Sequence, residues 1–452
     1  MSKKSAILRP PALPRDGFSS MDKEASFVRR INAIIQRAES EGLWKEPEDV
    51  PMILTDHYFW AYWLYKTAHP ITSPKPGFHL AEYFSPYLKN RFDLQPGDFE
   101  KQHSINLSFS GDLMATKGLA NSAETLYADV DKLIFDADIA YANLESTLTT
   151  QPIAPLEFST EKPTMINITP QEYHVVTRWK GRCYDLVHLA NNHILDRGEE
   201  GIRTTLKHLK RDKIMQIGIN ETADAQMQPS ITNVRGIRIG WVAHTYDVDS
   251  MPYPDGKSYM VNVTPFHMEP DPDLSLIEKQ IKVCRDEGCD FIILSLHWGL
   301  EFELYPHPDQ LSWAHRLAEC GADMIVGHHP HVIQHMEIYR LKNNPLKLVP
   351  VLYSLGNLTP IHSHPATVSS LVARLELTKG TLNGKICTQP IQLTLAPVIT
   401  LQQEEGEDAA LGIYELSKML KYEQSSRTHN LHNYLAQAAD YVDSTIGKDW
   451  RG

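Results

Sequence analysis

Residues 290–331 of the chain read DFIILSLHWGLEFELYPHPDQLSWAHRLAECGADMIVGHHPH, and this stretch decides the fold class. Two short apolar runs, DFIILSL and ADMIV, lie on either side of a longer amphipathic stretch, HPDQLSWAHRLAECG, which ends at Gly321. Short apolar runs are typical of buried strands, and an amphipathic stretch that ends in glycine is typical of a helix. Residues 290–331 therefore predict a strand–helix–strand unit of an α/β protein.

The same alternation continues on both sides of this stretch, from residue 105 to residue 357. In open α/β sheets, sites form at the carboxyl ends of the strands. We therefore expect the polar side chains that follow the apolar runs to meet at one edge of a sheet. The runs and these side chains are INLSFS before Asp112, DIAYA before Asn143 and Glu145, YDLVHLA before Asn191, Asn192 and His193, IRIGWVA before His244, DFIILSL before His297, ADMIV before GHHPH, and LVPVLYS before Asn357.

We divide the chain into a helical N-terminal extension (1–103), an α/β domain (104–398) and a helical C-terminal tail (399–452). In the extension, both MDKEASFVRRINAIIQRAESEGLW and HYFWAYWLYKTA predict helices, the second being aromatic and either buried or facing a partner. We interpret the extension as an appendage and not as part of the catalytic core. In the α/β domain, LVARLELTKG and ICTQPIQLTL predict closing antiparallel strands, and in the tail QQEEGEDAALGIYELSKMLKYEQ predicts a helix.

Composition excludes several classes of protein. A formal net charge of −12 argues against a general nucleic-acid binder, which needs a basic face to displace counterions from phosphates. The five cysteines are odd in number and form no CxxC pair, so we expect neither a disulfide framework nor a thiolate zinc site. No apolar segment reaches the roughly 20 residues of a spanning helix, and prolines interrupt the N-terminus before a secretory signal can form. These features predict a cytoplasmic protein without a membrane span.

The GHHPH loop is the most specific metal signal in the chain. A His-x-His pair lets two imidazoles reach one ion, and imidazole is the commonest neutral ligand of first-row transition metals. Each strand-end Asp or Glu taken alone is more typical of a turn or a helix cap. Taken together, the strand ends supply the mixed oxygen and nitrogen ligands of a two-metal hydrolytic site. The predicted ligands are Asp112, Glu145, Asn192, His297, His329 and His331, with His328 as the alternative to His329 and with His335 outside the site.

A hydrolytic site also needs an acid for the leaving group and groups that hold the substrate. His193 follows Asn192 directly and precedes Asp196 by three residues, so we predict that His193 is the acid and that Asp196 orients it. The predicted substrate-binding residues are Asn191, Arg197, Trp298 and Glu301, with Arg197 open to a second interpretation as a surface ion pair.

These motifs, in this order, resemble those of the bacterial capsule synthesis family CapA, which is associated with poly-γ-glutamate synthesis. The resemblance runs from about residue 105 to residue 360, through GDLM, NLEST, ANNHILDRGEEG, HWGLEFELYPHPDQ, GHHPHVIQHMEIY and VLYSLGN. It implies a branch of the calcineurin-like metallophosphoesterase superfamily, with a two-sheet α/β sandwich and a dinuclear metal site. By motif it assigns the first-strand aspartate to Asp112, the bridging carboxylate to Glu145, the Asn-His pair to Asn192 and His193, the lone histidine ligand to His297, and the paired histidines to His329 and His331.

The chain departs from the superfamily pattern in three places. The usual Asp-x-His is replaced by Asp112, Leu113 and Met114, Glu145 stands where an aspartate is usual, and GHHPH is one residue longer than GHxH. These departures leave the number of metal ions and turnover itself open. The leading hypothesis is a hydrolase that uses two divalent ions (Mn, Fe or Zn) on an anionic small molecule or polymer, cleaving a phosphoester or γ-glutamyl bond. The alternative is a non-catalytic accessory protein of capsule or poly-γ-glutamate synthesis with a vestigial or structural metal site.

Overall fold

The computed structural model describes residues 8–10, 57–151, 165–249, 251–269, 271–403, 409–426 and 429–452, together with positions 33, 36 and 40. Apart from these three positions, the helix predicted in MDKEASFVRRINAIIQRAESEGLW lies outside the described residues.

The strands follow the alternation predicted from the sequence. They are β1 Leu8–Arg9, β2 Arg91–Asp93, β3 Glu100–Leu113, β4 Ile139–Asn143, β5 Thr147–Leu148, β6 Asn167–Ile168, β7 Arg178–Trp179, β8 Arg182–Cys183, β9 Leu186–His188, β10 Met215–Ile217, β11 Ser230–Val234, β12 Ile237–Thr245, β13 Phe291–His297, β14 Met324–His328, β15 Met336–Arg340, β16 Leu348–Leu352, β17 Asn357–Thr359, β18 Ser369–Leu382, β19 Lys385–Gln403 and β20 Ala410–Glu415. The α-helices are α1 His57–Ala68, α2 Leu80–Phe84, α3 Asp131–Phe135, α4 Pro170–Thr177, α5 Gly198–Asp212, α6 Ser275–Asp286, α7 Pro308–Glu319, α8 Leu416–Ser426 and α9 His429–Ile446.

Two large sheets form the body of the protein. The first sheet has the order β1-β19-β18-β3-β4-β9-β10, with β17 beside β3 and with β2 and β20 beside β19. The second sheet has the order β11-β12-β13-β14-β16-β15. In the first sheet β3, β4, β9 and β10 are parallel, while β18 and β19 are antiparallel, as predicted for closing strands. In the second sheet β12, β13, β14 and β16 are parallel.

The sheets pack face to face through one apolar core. Its buried residues come from both sheets, and the Tyr141 ring of β4 stacks on the Trp241 ring of β12 with centroids 5.8 Å apart. The predicted α/β sandwich of two sheets is therefore confirmed. Burial of this apolar surface is the main force that stabilises the sandwich. Core residues of the first sheet include Leu107, Phe109 and Leu375, and those of the second include Ile239, Ile293 and Val326.

Helices cover the outer faces of both sheets. The helix predicted in HPDQLSWAHRLAECG is α7, which ends before Gly321, a residue with a φ of 120°. Together α6 and α7 bury apolar side chains against the second sheet, and α4 and α5 do so against the first sheet. Helix α9 instead packs Leu435, Ala438 and Val442 into the core between the sheets. Within the described part of the chain, no helix combines the length and the apolar character that crossing a membrane requires.

The C-terminal tail begins differently from the prediction. Residues 399–403 are the end of β19, and Ala410–Glu415 form strand β20 beside it, where a helix was expected. Alternation explains the strand, because Leu411 and Ile413 are both fully buried and the edge of β19 offers hydrogen-bonding partners. Helices follow only from Leu416 onwards. The division into extension, domain and tail stays a prediction.

Candidate metal centre

The parallel strands bring their carboxyl ends to one place between the two sheets. In the first sheet Asp112 pairs in register with Asn143, and in the second sheet His297 pairs with His328. Asp112, Glu145, His297 and His328 are completely buried. The residues predicted at separate strand ends therefore lie together, as expected from the topology.

Close approaches of the backbone shape this edge. A Cβ on Gly327 would lie 1.8 Å from the carbonyl oxygen of Tyr353, so β14 can reach its position only with glycine there. Directly after this glycine, His329 and His331 adopt positive φ values of 96° and 58°. Such conformations are strained for residues other than glycine and are found at functional sites. The strained turn directs both imidazoles towards the carboxylates.

Three overlapping sets of side chains have the geometry of metal ligands. In each set, one ligand atom per residue lies within 4.8 Å of the others. Because the sets share members, they describe a continuous cluster and not three separate sites. The sets are Glu145, His297 and His329; Glu301, His329 and His331; and Asp112, Glu145 and His331.

Glu145 is the carboxylate at the middle of this cluster. Its Oε1 lies 3.5 Å from His297 Nε2 and 3.8 Å from His331 Nε2, yet among the described residues it has no hydrogen-bond partner. Burial, reinforced by the charge of Asp112, raises the pKa of Glu145 well above its usual value. A buried carboxylate oxygen without a partner is costly unless a cation compensates it, so this carboxylate fits a metal ligand.

Two histidines of the cluster, His297 and His329, are held in their neutral form. Burial, reinforced by His329, lowers the pKa of His297 well below its usual value. Burial also lowers the pKa of His329 to about 3, and no described residue forms a hydrogen bond with its buried Nδ1. A metal ion requires the neutral imidazole, so these side chains also fit the predicted metal.

His328 and His335 have other roles. His328 Nδ1 lies 2.7 Å from Asp112 Oδ1, and its Nε2 lies 2.9 Å from the hydroxyl of Tyr141, so both ring nitrogens are engaged. His335 lies outside the cluster, where its ring stacks on Tyr305 with centroids 3.9 Å apart. The cluster therefore contains His329 and His331, while His328 holds Asp112.

His193 lies beside the cluster, and two carboxylates are close to its imidazole ring. Its Nδ1 is 3.1 Å from Asp196 Oδ2 and 3.7 Å from Asp249 Oδ2. Burial alone would lower the pKa of His193, but these two carboxylates outweigh burial and raise it to about 9. Asn192 connects His193 to the cluster, because its Oδ1 accepts a hydrogen bond of 2.9 Å from His297 Nε2. The two carboxylates thus favour the charged form of His193, and Asp196 orients its ring.

Of the four predicted substrate-binding residues, the structure places Glu301 in the cluster. Burial alone would raise the pKa of Glu301, but His331 and His329 outweigh it and lower the pKa to about 2. Arg197 is half-buried and donates from Nε to Asn167 Oδ1 at 3.0 Å.

The other two predicted residues, Trp298 and Asn191, lie outside the three ligand sets. Trp298 is completely buried in the core, where its ring stacks on Tyr353 with centroids 5.9 Å apart. Asn191 is also completely buried and donates from Nδ2 to the carbonyl oxygen of Leu144 at 2.9 Å, while its Oδ1 has no hydrogen-bond partner among the described residues. A part for either residue in substrate binding stays a prediction.

Three residues near the cluster were not predicted as site residues. Asn357 Oδ1 lies 2.9 Å from His331 Nδ1, and Asn143 Nδ2 donates to Asp112 Oδ1 at 2.8 Å. Both stand at strand ends, so the same signal that indicated Asp112 was available for them. Asp249 accepts a hydrogen bond of 3.0 Å from Asn192 Nδ2, and burial raises the pKa of Asp249 to about 7. It lies in a loop after β12, where no motif distinguishes it.

Three relatives with known names are similar to this chain over part of its length. The capsule biosynthesis protein CapA of Bacillus anthracis is 26% identical over 58% of this chain and 61% of its own length. The PGA biosynthesis protein CapA of Bacillus subtilis (strain 168) is 26% identical over 65% of this chain and 74% of its own length. A probable polyglutamine synthesis accessory protein of Mycobacterium tuberculosis is 27% identical over 58% and 66%, respectively.

The similarity covers only part of the relatives, with about three fifths of the Bacillus anthracis protein matched. The sequence model of a family described as bacterial capsule synthesis protein PGA_cap matches residues 106–360. These residues make up more than half of the chain and contain the whole histidine and carboxylate cluster. The resemblance predicted from the motifs is therefore confirmed, and the protein belongs to the PGA_cap family of bacterial capsule synthesis proteins.

Proposed function

We propose that this protein is a metal-dependent hydrolase of capsule or poly-γ-glutamate metabolism that cleaves a phosphoester or a γ-glutamyl bond. The observation that carries the proposal is the environment of Glu145. Its buried Oε1, which has no hydrogen-bond partner in the described part of the chain, lies 3.5 Å from Nε2 of His297, an imidazole that burial keeps neutral. This arrangement is costly for the protein alone and is what a site for divalent cations requires.

The donor set suits two ions of Mn, Fe or Zn, because it combines imidazole, carboxylate and amide ligands without thiolates. When bound, such ions supply Lewis acidity, which activates a water molecule and offsets negative charge on an anionic substrate. The residues that would hold them are Asp112, Glu145, Asn192, His297, His329 and His331, with Glu301 beside His329 and His331.

His193 supplies the proton in this proposal. Asp196 holds Nδ1 of the ring, and Nε2 lies 3.2 Å from Asn192 Nδ2, on the side of the cluster. Nε2 of the neutral ring accepts from this amide; when the ring is charged, Nε2–H is a donor and the amide keeps Asp249 Oδ2 as its acceptor. A protonated imidazole in this position can donate its Nε2 proton to the departing oxygen or nitrogen of the substrate. Asp196 keeps its own orientation through a hydrogen bond from the backbone N–H of Ile166. The dyad therefore orients the acid and stabilises its charged form.

The test combines metal analysis with a panel of phosphomonoester, phosphodiester and γ-glutamyl substrates. We expect the purified protein to bind Mn, Fe or Zn near stoichiometrically and to hydrolyse one class of the panel. His193→Ala should lower kcat by roughly 10²–10⁴-fold while the metal content is unchanged, since the acid contributes on that scale. A protein that binds no metal under any loading condition would rule the proposal out.

A second candidate function is a non-catalytic accessory role in polymer synthesis. It is favoured by the Mycobacterium tuberculosis relative, which is named a probable accessory protein. In that case the cluster binds metal, no substrate of the panel is hydrolysed, and His193→Ala leaves polymer production in a capsule-forming host unchanged. A cytoplasmic location and an anionic small-molecule or polymer substrate stay predictions from the sequence.

A further inference from the structure

Glu301 reaches the cluster from a loop, residues 299–305, and not from a strand end. The loop is tied to the histidine turn by a hydrogen bond of 2.8 Å from the backbone N–H of Phe302 to the carbonyl oxygen of Pro330. The side chain of Glu301 is 22% exposed, while those of Asp112 and Glu145 are completely buried. Glu301 therefore depends on contacts from outside the sandwich to keep its position.

These contacts come from the N-terminal extension. The backbone N–H of Ile71 donates to the carbonyl oxygen of Phe302 at 2.8 Å. The backbone N–H of Leu304 donates in turn to the carbonyl oxygen of Ile71 at 2.9 Å. In the last turn of α1, Lys66 Nζ forms an ion pair of 2.7 Å with Glu303 Oε1. The extension is thus fastened along the loop that carries Glu301.

Trp63 of α1 contacts Glu301 itself. Its indole Nε1–H donates to Glu301 Oε2, while Glu301 Oε1 lies 3.5 Å from His331 Nε2. The two carboxylate oxygens therefore have different partners, one in the helix and one in the cluster. The Trp63 ring packs edge-on against Phe302 and His362, with centroids 5.6 Å and 6.1 Å away. This packing sets the position from which the indole donates.

We propose that Trp63 is a positioning residue that completes the candidate metal site by holding Glu301 against His331. The inference rests on the proposed metal site and deepens it, because α1 lies outside residues 106–360. Hydrogen bonds to the ligands of a metal orient them, and loss of such a partner typically weakens metal binding about 10–100-fold. With Oε2 occupied by the indole, Glu301 offers only Oε1 to an ion.

The test is titration of the full chain with Mn²⁺ by calorimetry. Trp63→Phe keeps the aromatic packing and removes the N–H donor, so the Kd of the more weakly bound Mn²⁺ should rise about tenfold or more. Trp450→Phe is the matched control, since it removes another indole hydrogen bond to a carboxylate, the 3.1 Å bond from Trp450 to Asp443. Trp450→Phe should leave Mn²⁺ binding unchanged.

If Trp63 acts on metal binding through Glu301, a double variant should show it. In a Glu301→Gln background, Trp63→Phe should have no additional effect on Mn²⁺ binding, because the two residues act as a unit. Trp63→Tyr offers an O–H donor and should bind Mn²⁺ more tightly than Trp63→Phe. If Trp63→Phe fails to fold, Trp63→Met is the donor-free variant in its place, with the same expected rise in Kd.

The possible failures are distinguishable. If the natural protein binds two Mn²⁺ ions and Trp63→Phe binds them with the same Kd, the role of Trp63 is wrong and the proposed function stands. Equal weakening by Trp63→Phe and Trp450→Phe also overturns the role of Trp63, because the effect is then one of general stability. If the natural protein binds no Mn²⁺, Zn²⁺ or Fe²⁺, both proposals are overturned.

Discussion

The two sheets contribute opposite chemistry to the candidate metal centre. The first sheet ends in oxygen donors, Asp112 and Glu145, while the second sheet ends in imidazoles, His297 on β13 and the turn after β14. Burial raises the pKa of Glu145 and lowers the pKa of His297, so it favours the uncharged form on both sides. Neutral imidazoles are ready to bind a cation, whereas Glu145 needs one to be charged without penalty. The oxygen side should therefore depend most strongly on metal.

The largest effect is expected from Glu145→Gln. Glu145 belongs to two of the three ligand sets, and its amide replacement removes the charge with little change of shape. We expect loss of metal binding beyond the roughly 10–100-fold typical of indirect partners, measured by metal analysis after dialysis. Glu337→Gln is the control, because Glu337 is equally buried but hydrogen-bonded to Tyr353 at 2.6 Å, outside the ligand sets. Retention of metal by Glu145→Gln would contradict the central role of this carboxylate.

Among the imidazoles of the second sheet, substitution of the two adjacent histidines of GHHPH should weaken Mn²⁺ binding to different extents. The buried Nδ1 of His329 has no hydrogen-bond partner within the part of the chain that the structure describes, whereas His328 acts through Asp112. His329→Gln should therefore weaken Mn²⁺ binding more than His328→Gln. We expect the effect of His328→Gln to fall within the roughly 10–100-fold range of an indirect partner. Calorimetric titration of both variants with Mn²⁺ shows which substitution raises the Kd more. The reverse order would identify His328 as the ligand.

A smaller effect is expected where an amide orients an imidazole. Asn357→Ala removes the acceptor that faces His331 Nδ1 at 2.9 Å, and Mn²⁺ affinity should fall about tenfold while the ion is still bound. Asn220→Ala serves as the control, because Asn220 donates to the carbonyl oxygen of Tyr259 at 2.8 Å, away from the ligand sets. No change in affinity for Asn357→Ala would mean that the turn alone orients His331.

The smallest effect on metal binding is expected at His244, which ends β12 without joining the cluster. Its Nε2 lies 2.8 Å from Gln280 Oε1, and burial lowers its pKa to about 4. The pKa of His244 in the folded protein is below the unfolded value of about 6.5, so the neutral ring contributes to the free energy of unfolding. This contribution is fully present above pH 6.5 and is lost as the pH falls towards 4. Between pH 7 and pH 5 the loss is about 2 kcal/mol.

Urea unfolding of the natural protein and of His244→Gln at both pH values isolates this contribution. The variant should lose about 2 kcal/mol less than the natural protein on acidification, with Mn²⁺ binding at pH 7 unchanged. An equal loss in both proteins would show that His244 is not responsible. Weaker Mn²⁺ binding in the variant would place His244 in the site, against the geometry.

The sequence by itself determined the α/β class, the succession of apolar strands along the α/β domain and the edge at which the candidate site forms. Apolar runs and the residues after them are local features, and parallel strands necessarily bring their carboxyl ends together. For the same reason Asp112, Glu145, His297 and the GHHPH loop could be predicted as neighbours. Local pattern was not sufficient for Ala410–Glu415, since strand formation there depends on the edge of β19.

Only the tertiary structure decided which way individual side chains point. Trp298 and His297 are adjacent in sequence, yet one ring fills the core and the other faces Glu145. His329 and not His328 joins the ligand sets because positive φ angles follow Gly327. The contact of Trp63 with Glu301 joins residues 238 positions apart. Such contacts follow from packing between distant elements, which no local spacing encodes. Through this one, a helix of the predicted N-terminal extension contacts a residue of the candidate metal centre.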